Sequence, residues 1–361
     1  MKILFMGFAV SNHTKRWINT LADLGHEVFL VCQPDKKDNE NAISPKVKIH
    51  YLKFAGKLGY YLNVHEVKNI FKRYRPDVVN AHFATGYGTT ARLAKLKPLV
   101  VSCWGSDVYD FPYHSKLNKY ILCKNLRNAD AVASTSHAMA EQVRSLLNEP
   151  DKKVHVTPFG ISTDLFKPSE KKHNNTSPII GIVKYLEPIY DIGLLIDAFS
   201  IVLKISDINP VLHIYGGGSQ KEHLERQCRK LGIADKVTFF GTIPNKDIPK
   251  ALSTFDVFVN CSRHESFGVA VVEAMACKIP VVVTDTPGYR EIVENGKCGI
   301  ILKDRNPETM AHAIIRLLSD KALASRYARS GFDKVHEEYD WNQNVRKMIE
   351  IYNSIIVEAE Y

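Results

Sequence analysis

The most informative absences in this 361-residue chain concern catalytic motifs. It contains no Asp-x-Asp pair, no His/Cys cluster with metal-ligand spacing, no Gly-x4-Gly-Lys-Ser/Thr loop and no Gly-x-Ser-x-Gly turn. These absences count against metal-dependent nucleotide-sugar chemistry, P-loop hydrolysis and serine hydrolysis. We therefore expect the protein to use neither a metal ion nor a cofactor.

Cysteine pairs, a leader segment and long apolar runs are also missing. The seven cysteines show no Cys-x-x-Cys spacing, so reduced thiols are expected. Met1–Gly7 enters a strand pattern directly, without a charged leader or a cleavage site. Apolar runs such as 280–283 have the length of a strand and are too short to cross a bilayer. We therefore predict a cytoplasmic protein.

Charge is distributed unevenly between the two halves of the chain. Residues 1–168 contain 24 Lys and Arg against 14 Asp and Glu, whereas residues 169–361 contain 24 against 25. This predicts an anionic partner for the first half: an anionic membrane surface, a lipid-phosphate acceptor or nucleic acid. Nucleic acid is the weakest candidate, because the basic excess is dispersed and no recognised motif accompanies it. Residues 113–127 mix basic and aromatic side chains at helical spacing, which suits either a membrane surface or an ordinary packing helix.

Short apolar strands alternate with helical stretches, a pattern that predicts parallel α/β sheets. Strands are predicted at 2–7, 27–32, 47–52, 78–81, 99–102, 131–134, 154–156, 179–183, 211–215, 237–240, 257–259, 280–284 and 299–302. Residues 168–178 are polar and bracketed by prolines, which is typical of a linker. The prediction is two doubly wound, Rossmann-like α/β domains, 1–167 and 179–341, that face each other across a cleft and bind ligands at their strand ends.

Glu265 and Glu273 are the pair of residues that says most about function. Glu265 lies in a polar turn, and Glu273 lies among small and apolar residues, where a lone carboxylate is costly to bury. If 267–277 form a helix, the carboxylates are about 12 Å apart along its axis. This is about the length of an extended nucleotide-diphosphate sugar, and the helix N-terminus between the two glutamates favours a phosphate.

Two further candidates follow strands of the second half. Lys184 comes directly after the strand 179–183, where it is either a phosphate contact or a solvated surface lysine. Gly216 and Gly217 open a turn after the strand 211–215. Glycines there allow close approach to a ligand or satisfy the geometry of the turn itself.

The first half has its own candidates at strand ends. Gly7 closes the first strand, and His13 in the following loop is either a substrate contact or a neighbour of a helix cap. Trp104 and Asp107 follow the strand 99–102. An aromatic ring beside a carboxylate predicts a platform for a sugar, with Asp107 accepting from hydroxyls, and a helix N-cap is the alternative for Asp107.

These residues resemble family 4 of the glycosyltransferases, a group of retaining enzymes with the two-domain GT-B fold. The similarity runs over nearly the whole chain. It includes residues 21–28, 158–168, 237–241 and the Glu-x7-Glu segment with its flanks 274–276 and 280–283. The Trp-Gly-Ser-Asp segment 104–107 resembles a subgroup that acts on cell-surface polysaccharides.

The resemblance implies transfer of a sugar from a nucleotide donor with retention of anomeric configuration. It implies that Glu265 contacts sugar hydroxyls, Glu273 the ribose and Lys184 the diphosphate, and that the last helix, 342–361, packs back on the first domain. The implied donor site comprises Gly7, Lys184, Gly216, Gly217, Ile243, Glu265, Ser266, Phe267, Gly268 and Glu273. The candidate catalytic residues are Glu265, Lys184 and Asp107, and the candidate acceptor residues are His13, Trp104 and Asp107.

The expected reaction moves a hexose or N-acetylhexosamine from a UDP-sugar to a lipid-linked saccharide or polysaccharide of the cell surface. The expected partners are thus a nucleotide sugar, a lipid-linked acceptor and an anionic membrane. One alternative is another GT-B reaction, such as nucleotide-sugar epimerisation. A second alternative is an inactive homologue that binds nucleotide or carbohydrate as a partner subunit.

The chain departs from the family pattern at the diphosphate. The second phosphate cation of the family falls on Ile189 or Tyr190, and Asp191 places an acid close by. Losing one charge-assisted hydrogen bond should weaken donor binding by roughly 1–3 kcal/mol. Arg263 and Arg290 are the candidates to compensate. A histidine that is common in the family is replaced by Trp104.

Overall fold

The computed structural model describes residues 1–38, 42–169 and 177–360. Within these ranges the chain forms two compact units, Met1–Phe159 together with the chain from Asn342 onward, and Gly160–Trp341. Each unit contains one parallel sheet, so the predicted α/β class with two doubly wound domains is confirmed. Residues 160–168 belong to the second unit, and residues 170–176 of the predicted linker lie outside the described ranges.

The first unit is built on a seven-stranded sheet. Its strands are β1 (Lys2–Met6), β2 (Glu27–Cys32), β3 (Lys48–Tyr51), β4 (Val78–His82), β5 (Leu99–Ser102), β6 (Ala131–Ser134) and β7 (His155–Val156), in the parallel order β3-β2-β1-β4-β5-β6-β7. Its helices are α1 (Asn12–Asp23), α2 (Gly56–Leu62), α3 (Val64–Tyr74), α4 (Gly86–Leu93), α5 (Ser106–Tyr109), α6 (Lys116–Asn128) and α7 (His137–Leu147). The strand order reverses between β1 and β4, and the carboxyl ends there are where open sheets bind ligands.

The second unit repeats this plan with six strands. They are β8 (Ile179–Val183), β9 (Val211–Tyr215), β10 (Val237–Gly241), β11 (Val257–Asn260), β12 (Val281–Thr284) and β13 (Ile300–Leu302), in the order β10-β9-β8-β11-β12-β13. Its helices are α8 (Ile192–Ile205), α9 (Lys221–Lys230), α10 (Ile248–Leu252), α11 (Val269–Ala276), α12 (Pro287–Val293), α13 (Pro307–Ser319) and α14 (Lys321–Glu338). The order reverses between β8 and β11, which brings Lys184 and the loop after Asn260 to one place.

Burial explains why the strands could be predicted from the sequence. All four residues of β12 are buried, as expected for a parallel strand covered by helices on both faces. Short 3-10 turns complete the fold at Pro34–Lys36, Phe111–Tyr113, Pro188–Tyr190, Ala234–Lys236 and Asn245–Asp247. In the described part of the chain, no helix is both long and apolar enough to cross a membrane.

The last helix, α15 (Trp341–Glu360), packs against the first unit through a buried polar contact. The Asn80 side-chain amide donates to the Tyr352 hydroxyl at 2.7 Å, and the Ser102 hydroxyl donates to the Asn80 carbonyl oxygen at 2.9 Å. Asn80 and Tyr352 are fully buried. This chain of bonds fixes α15 to the centre of the first sheet.

Replacing Tyr352 with Phe should lower the free energy of unfolding by about 1–2 kcal/mol, because the buried Asn80 amide loses its acceptor. Chemical unfolding followed by circular dichroism measures the change. The control is Tyr61→Phe in the same unit, where an exposed hydroxyl is removed and a change within about 0.5 kcal/mol is expected. Equal stability of Tyr352→Phe and the wild type would contradict this account of α15.

Candidate functional site

A lysine and a glutamate form an ion pair where the strand order of the second sheet reverses. Lys184 follows β8, and Glu265 lies in the loop between β11 and α11. The Lys184 Nζ lies 2.7 Å from the Glu265 Oε2, and the two side chains are only 15% and 17% exposed. Little water screens the pair, so each charge depends on the other. The structure thus brings together two residues that the sequence predicted for one site.

Two tyrosines surround this ion pair. The Lys184 ammonium lies 4.4 Å from the centre of the Tyr190 ring, a cation–π distance. The buried Tyr289 hydroxyl lies 3.2 Å from the Ser262 hydroxyl and 3.5 Å from the Glu265 Oε2. Burial, followed by the charge of Glu265, raises the pKa of Tyr289 well above its usual value, so the phenol keeps its proton. Tyr289 was not predicted as a site residue, because no sequence motif marks it.

The glycine turn after β9 holds the backbone of Lys184. Gly216 has a φ of 143°, and a Cβ there would collide with the carbonyl oxygen of Lys184. Gly218 has a φ of 156°, and a Cβ there would lie 2.5 Å from the carbonyl oxygen of Leu186. These two glycines are therefore required by the close approach of two loops. Donor contacts at Gly216 and Gly217 stay predictions.

Asp191 is matched by two arginines. Its Oδ2 accepts from the Arg263 Nη2 at 2.8 Å and from the Arg305 Nη2 at 2.5 Å. The Arg263 backbone N–H also donates to the carbonyl oxygen of Ile189 at 2.8 Å. Arg290, the other candidate to compensate for a missing cation, instead pairs with Asp285. Arg305 was missed, because it lies far along the sequence in a segment without a motif.

A cavity of about 360 Å³ adjoins the Asp191 cluster. It is lined by Glu187, Pro188, Asp191, Ile192, Gly193, Gln220, His223, Leu224 and Arg263. Arg263 is half exposed here, with 54% of its side chain accessible. A guanidinium that is paired with a carboxylate and still open to solvent is accessible to an anion.

The Glu273 helix is shorter than predicted. Helix α11 begins at Val269, after Gly268 with a φ of 106°, whereas the sequence predicted a helix over 267–277. Residues 265–268 therefore lie before the helix, and the helical rise per residue alone does not give the distance between the carboxylates of Glu265 and Glu273. Glu273 is buried on α11, and the Phe267 ring packs edge-on against Tyr339 at 5.4 Å. Ser266 and Ile243 are half-buried in loops of the same unit.

Aromatic side chains gather at the carboxyl edge of the first sheet. The His13 ring stacks on Phe159 at 4.0 Å and meets Trp104 edge-on at 5.6 Å. Burial, helped by the charge of Arg16, lowers the pKa of His13 to about 4. The imidazole is therefore neutral near pH 7. The structure thus brings together the predicted acceptor residues His13 and Trp104.

Asp107 is held by backbone groups. Its carboxylate accepts from the backbone N–H of Ala84 at 2.9 Å, of Trp104 at 3.1 Å and of Gly105 at 2.9 Å. Only 2% of the residue is exposed. The three bonds join the loops after β4 and β5, and the predicted alternative of a helix N-cap is wrong, because Gly105 and not Asp107 caps helix α5. A catalytic or acceptor-binding role of Asp107 stays a prediction.

The side chains at the site also bear on whether a metal ion could bind. Among the residues that the structure describes, no three His, Cys, Asp or Glu side chains are grouped so that they could hold a metal ion. The charged groups at the second reversal point are instead Lys184, Glu265, Asp191 and the two arginines. The absence of a metal from the reaction stays a prediction.

Family models and known proteins agree with this architecture. Residues 2–136 match the model of the glycosyl transferase 4-like domain, and residues 165–334 match glycosyl transferases group 1. An uncharacterised glycosyltransferase of Methanocaldococcus jannaschii is 31% identical over 61% of this chain and 59% of its own length. The poly(ribitol-phosphate) α-N-acetylglucosaminyltransferase of Staphylococcus aureus is 28% identical over 66% of this chain and 47% of its own length. The chain thus spans about half the length of these two relatives.

Solved structures show the same fold. A sucrose-phosphate synthase of Thermosynechococcus elongatus matches with a TM-score of 0.84 and 19% identity, over 99% of this chain and all of that one. HepE of Anabaena, solved with UDP and glucose, matches with a TM-score of 0.78 and 20% identity, over 98% of this chain and all of that one. Each unit therefore matches a glycosyltransferase family model, and the whole chain has the fold of GT-B structures. The chain belongs to the GT-B glycosyltransferases and is a family 4-like member.

Proposed function

We propose that the protein is a retaining glycosyltransferase that moves a hexose or N-acetylhexosamine from a UDP-sugar to a lipid-linked or polysaccharide acceptor in cell-surface glycan synthesis. The observation that carries this proposal is the weakly screened Lys184–Glu265 ion pair, next in sequence to the Glu273 helix. The similarity to the S. aureus poly(ribitol-phosphate) α-N-acetylglucosaminyltransferase supports the acceptor class. The UDP and glucose bound to HepE support the donor class.

In this proposal the ion pair separates when the donor binds. The Lys184 ammonium turns to the diphosphate, Glu265 accepts from sugar hydroxyls, and Glu273 accepts from the ribose. Each charge exchanges one close partner for another, so neither is left buried alone. The helix α11 adds backbone N–H groups of its first turn.

The proposed reaction occurs on one face of the sugar, because no side chain in the described part of the chain is an obvious nucleophile. The bond from the anomeric carbon to the phosphate oxygen breaks as the bond to the acceptor oxygen forms. The acceptor proton passes to the departing phosphate oxygen, which gives UDP and a glycoside of retained configuration. Lys184 stabilises the charge of the leaving diphosphate, and the proposal includes no metal and no cofactor.

Arg263 is the proposed second cation. Two guanidiniums share the single Asp191 carboxylate, so the cluster keeps one net positive charge. Arg305 is further fixed by the backbone oxygens of Cys261 and Ser262. It can therefore hold Asp191 while Arg263 moves to a phosphate. This arrangement favours an active enzyme over an inactive homologue, and release of UDP only in the presence of acceptor separates transfer from epimerisation.

The proposed membrane partner fits a basic apolar surface of the first unit, formed by residues 53–65 and 113–127. Neither segment contains an acidic residue. Their exposed apolar side chains are Phe54, Leu58, Tyr61, Leu62, Tyr113, Leu117 and Tyr120, with Leu58 72% and Leu117 64% accessible. Helices α2 and α6 both pack against α4, so the two segments share one face of the sheet. Exposed apolar groups among lysines suit an anionic bilayer.

Replacing Glu273 with Ala should raise the donor KM or abolish turnover. Replacing Lys184 with Ala should lower kcat/KM for the donor roughly ten- to hundredfold. Each variant loses a charge-assisted contact to the donor. UDP release in the presence of acceptor measures both effects. Glu222→Gln on an exposed face of α9 is the control and should behave as the wild type. Wild-type donor kinetics in Glu273→Ala would contradict the assignment of Glu273 to the donor site.

Arg263→Ala should raise the donor KM about tenfold, the scale of one charge-assisted hydrogen bond, and Arg263→Lys should recover part of that loss. The matched control is Arg290→Ala, since Arg290 is also exposed and also paired with an aspartate. If Arg290→Ala weakens the donor as much as Arg263→Ala does, the second cation is not Arg263.

The variant Leu58→Ser/Leu117→Ser should bind vesicles of phosphatidylglycerol and phosphatidylcholine at least about tenfold more weakly than the wild type, since each leucine loses about 1.5–3 kcal/mol of burial. Co-sedimentation measures this, and vesicles of phosphatidylcholine alone should bind less protein. The control is Ile205→Ser, an exposed site in the second unit. Unchanged binding by the double variant contradicts the proposal. A wild-type dimer that the double variant abolishes would instead make this surface a subunit contact.

A further inference from the structure

Unpaired polar atoms surround Gly7 at the carboxyl edge of the first sheet. His82 ends β4 and is fully buried, and neither of its ring nitrogens has a hydrogen-bond partner among the described residues. The buried Thr14 hydroxyl also has none within those ranges. A Cβ at Gly7 would lie 3.2 Å from the Thr14 Oγ1 and 3.6 Å from the His82 Cβ. Two side chains with unused hydrogen-bonding capacity therefore flank one glycine.

This arrangement is costly for a folded protein. A buried polar group without a partner costs about 1–3 kcal/mol, and each such group in a native structure requires an explanation. Asn80, two residues before His82 on the same strand, has its amide and its carbonyl oxygen both paired. On β4 the unpaired side-chain atoms therefore belong to His82 at the carboxyl end of the strand, beside Gly7 and the reversal of strand order.

The chemistry of the two side chains indicates their ligand. Burial, followed by the nearby His13, lowers the pKa of His82 well below its usual value, so the ring is neutral. A neutral imidazole has one N–H donor and one acceptor nitrogen, and a threonine hydroxyl also donates and accepts. A sugar or polyol hydroxyl has the same dual capacity. A neutral pair of this kind offers no full charge to a phosphate.

Trp104 covers this site. Its ring lies 4.4 Å from the His82 ring, and the cavity between them, which Phe159 also lines, has a volume of about 10 Å³. That is room for about one water molecule. The Trp104 backbone is held by Asp107, whereas its side chain is only half-buried. The Trp104 ring lies against the rings of His13, His82, Phe83 and Phe159, so a ligand that reaches His82 from this side has to displace it.

We propose that His82 and Thr14 form a hydroxyl-binding subsite that takes a hydroxyl of the acceptor when the Trp104 ring turns aside. The proposal rests on the proposed function only in calling the ligand the acceptor. His82 is then a substrate-binding residue of the first unit. Its burial without a partner destabilises the fold, and the residue is kept because an apolar side chain at this position would not bind the acceptor.

The first test compares stability with activity. His82→Leu removes the unpaired nitrogens and should unfold at the same temperature as the wild type or above it, whereas Asn80→Leu, the control, should unfold at a lower temperature. His82→Leu should raise the acceptor KM at least about tenfold with an unchanged donor KM, the scale of one lost hydrogen bond to a polar substrate group. His82→Gln should recover part of the acceptor affinity. A fall in melting temperature like that of Asn80→Leu, or an unchanged acceptor KM, overturns the proposal.

The second test does not need turnover. In protein labelled with 15N-histidine, the ring signals of His82, identified by their absence from His82→Gln, should shift when ribitol or methyl α-glucoside is added. Thr14→Val should weaken that shift. Signals that stay unchanged at saturating polyol and glycoside overturn the subsite. A shift in a protein that transfers no sugar would support the subsite and contradict the proposed function.

Discussion

The Lys184–Glu265 ion pair is the interaction on which the rest of the second unit depends. It lies where β8 and β11 end side by side, the one point of that sheet at which neighbouring loops diverge. With both side chains less than one-fifth exposed, neither charge has enough water to stand alone. The surroundings are therefore arranged around the pair: Gly216 lets the Lys184 backbone approach, Tyr190 covers the ammonium, and Tyr289 lies against the carboxylate.

The Asp191 cluster offsets the departure from the family pattern at the diphosphate. An acid next to the position of the family's second cation implies repulsion of a diphosphate, but the structure pairs that acid with two guanidiniums. Arg305 is bound to backbone oxygens and is fixed, while Arg263 is half exposed. A partly buried cation that is fixed by backbone oxygens and a more accessible cation thus share the same carboxylate, and together they retain a positive charge at the site.

The sequence predicted the sheets well because burial on both faces makes parallel strands continuously apolar. All thirteen predicted strands occur in the described part of the chain, and their ends differ from the predicted ones by at most one residue. The site was predicted where residues follow strands directly, as with Lys184 and Trp104. Tyr289 and Arg305 were not predicted, because only their contacts with residues distant in sequence mark them. His82 was not predicted either, because its burial without a hydrogen-bond partner among the described residues is visible only in the fold. The backbone contacts of Asp107 were not predicted for a related reason, because the Ala84 N–H that donates to its carboxylate lies on a loop that only the fold brings close.

The central claim is that the ion pair marks a nucleotide-sugar site, and thermal unfolding in the presence of UDP- and GDP-sugars tests it most directly. A donor at 100 times its Kd should stabilise the wild type by about 2.7 kcal/mol and raise its melting temperature. The same donor should stabilise Lys184→Ala much less. An unchanged melting temperature of the wild type with every nucleotide sugar, or equal stabilisation of Lys184→Ala, would contradict the account.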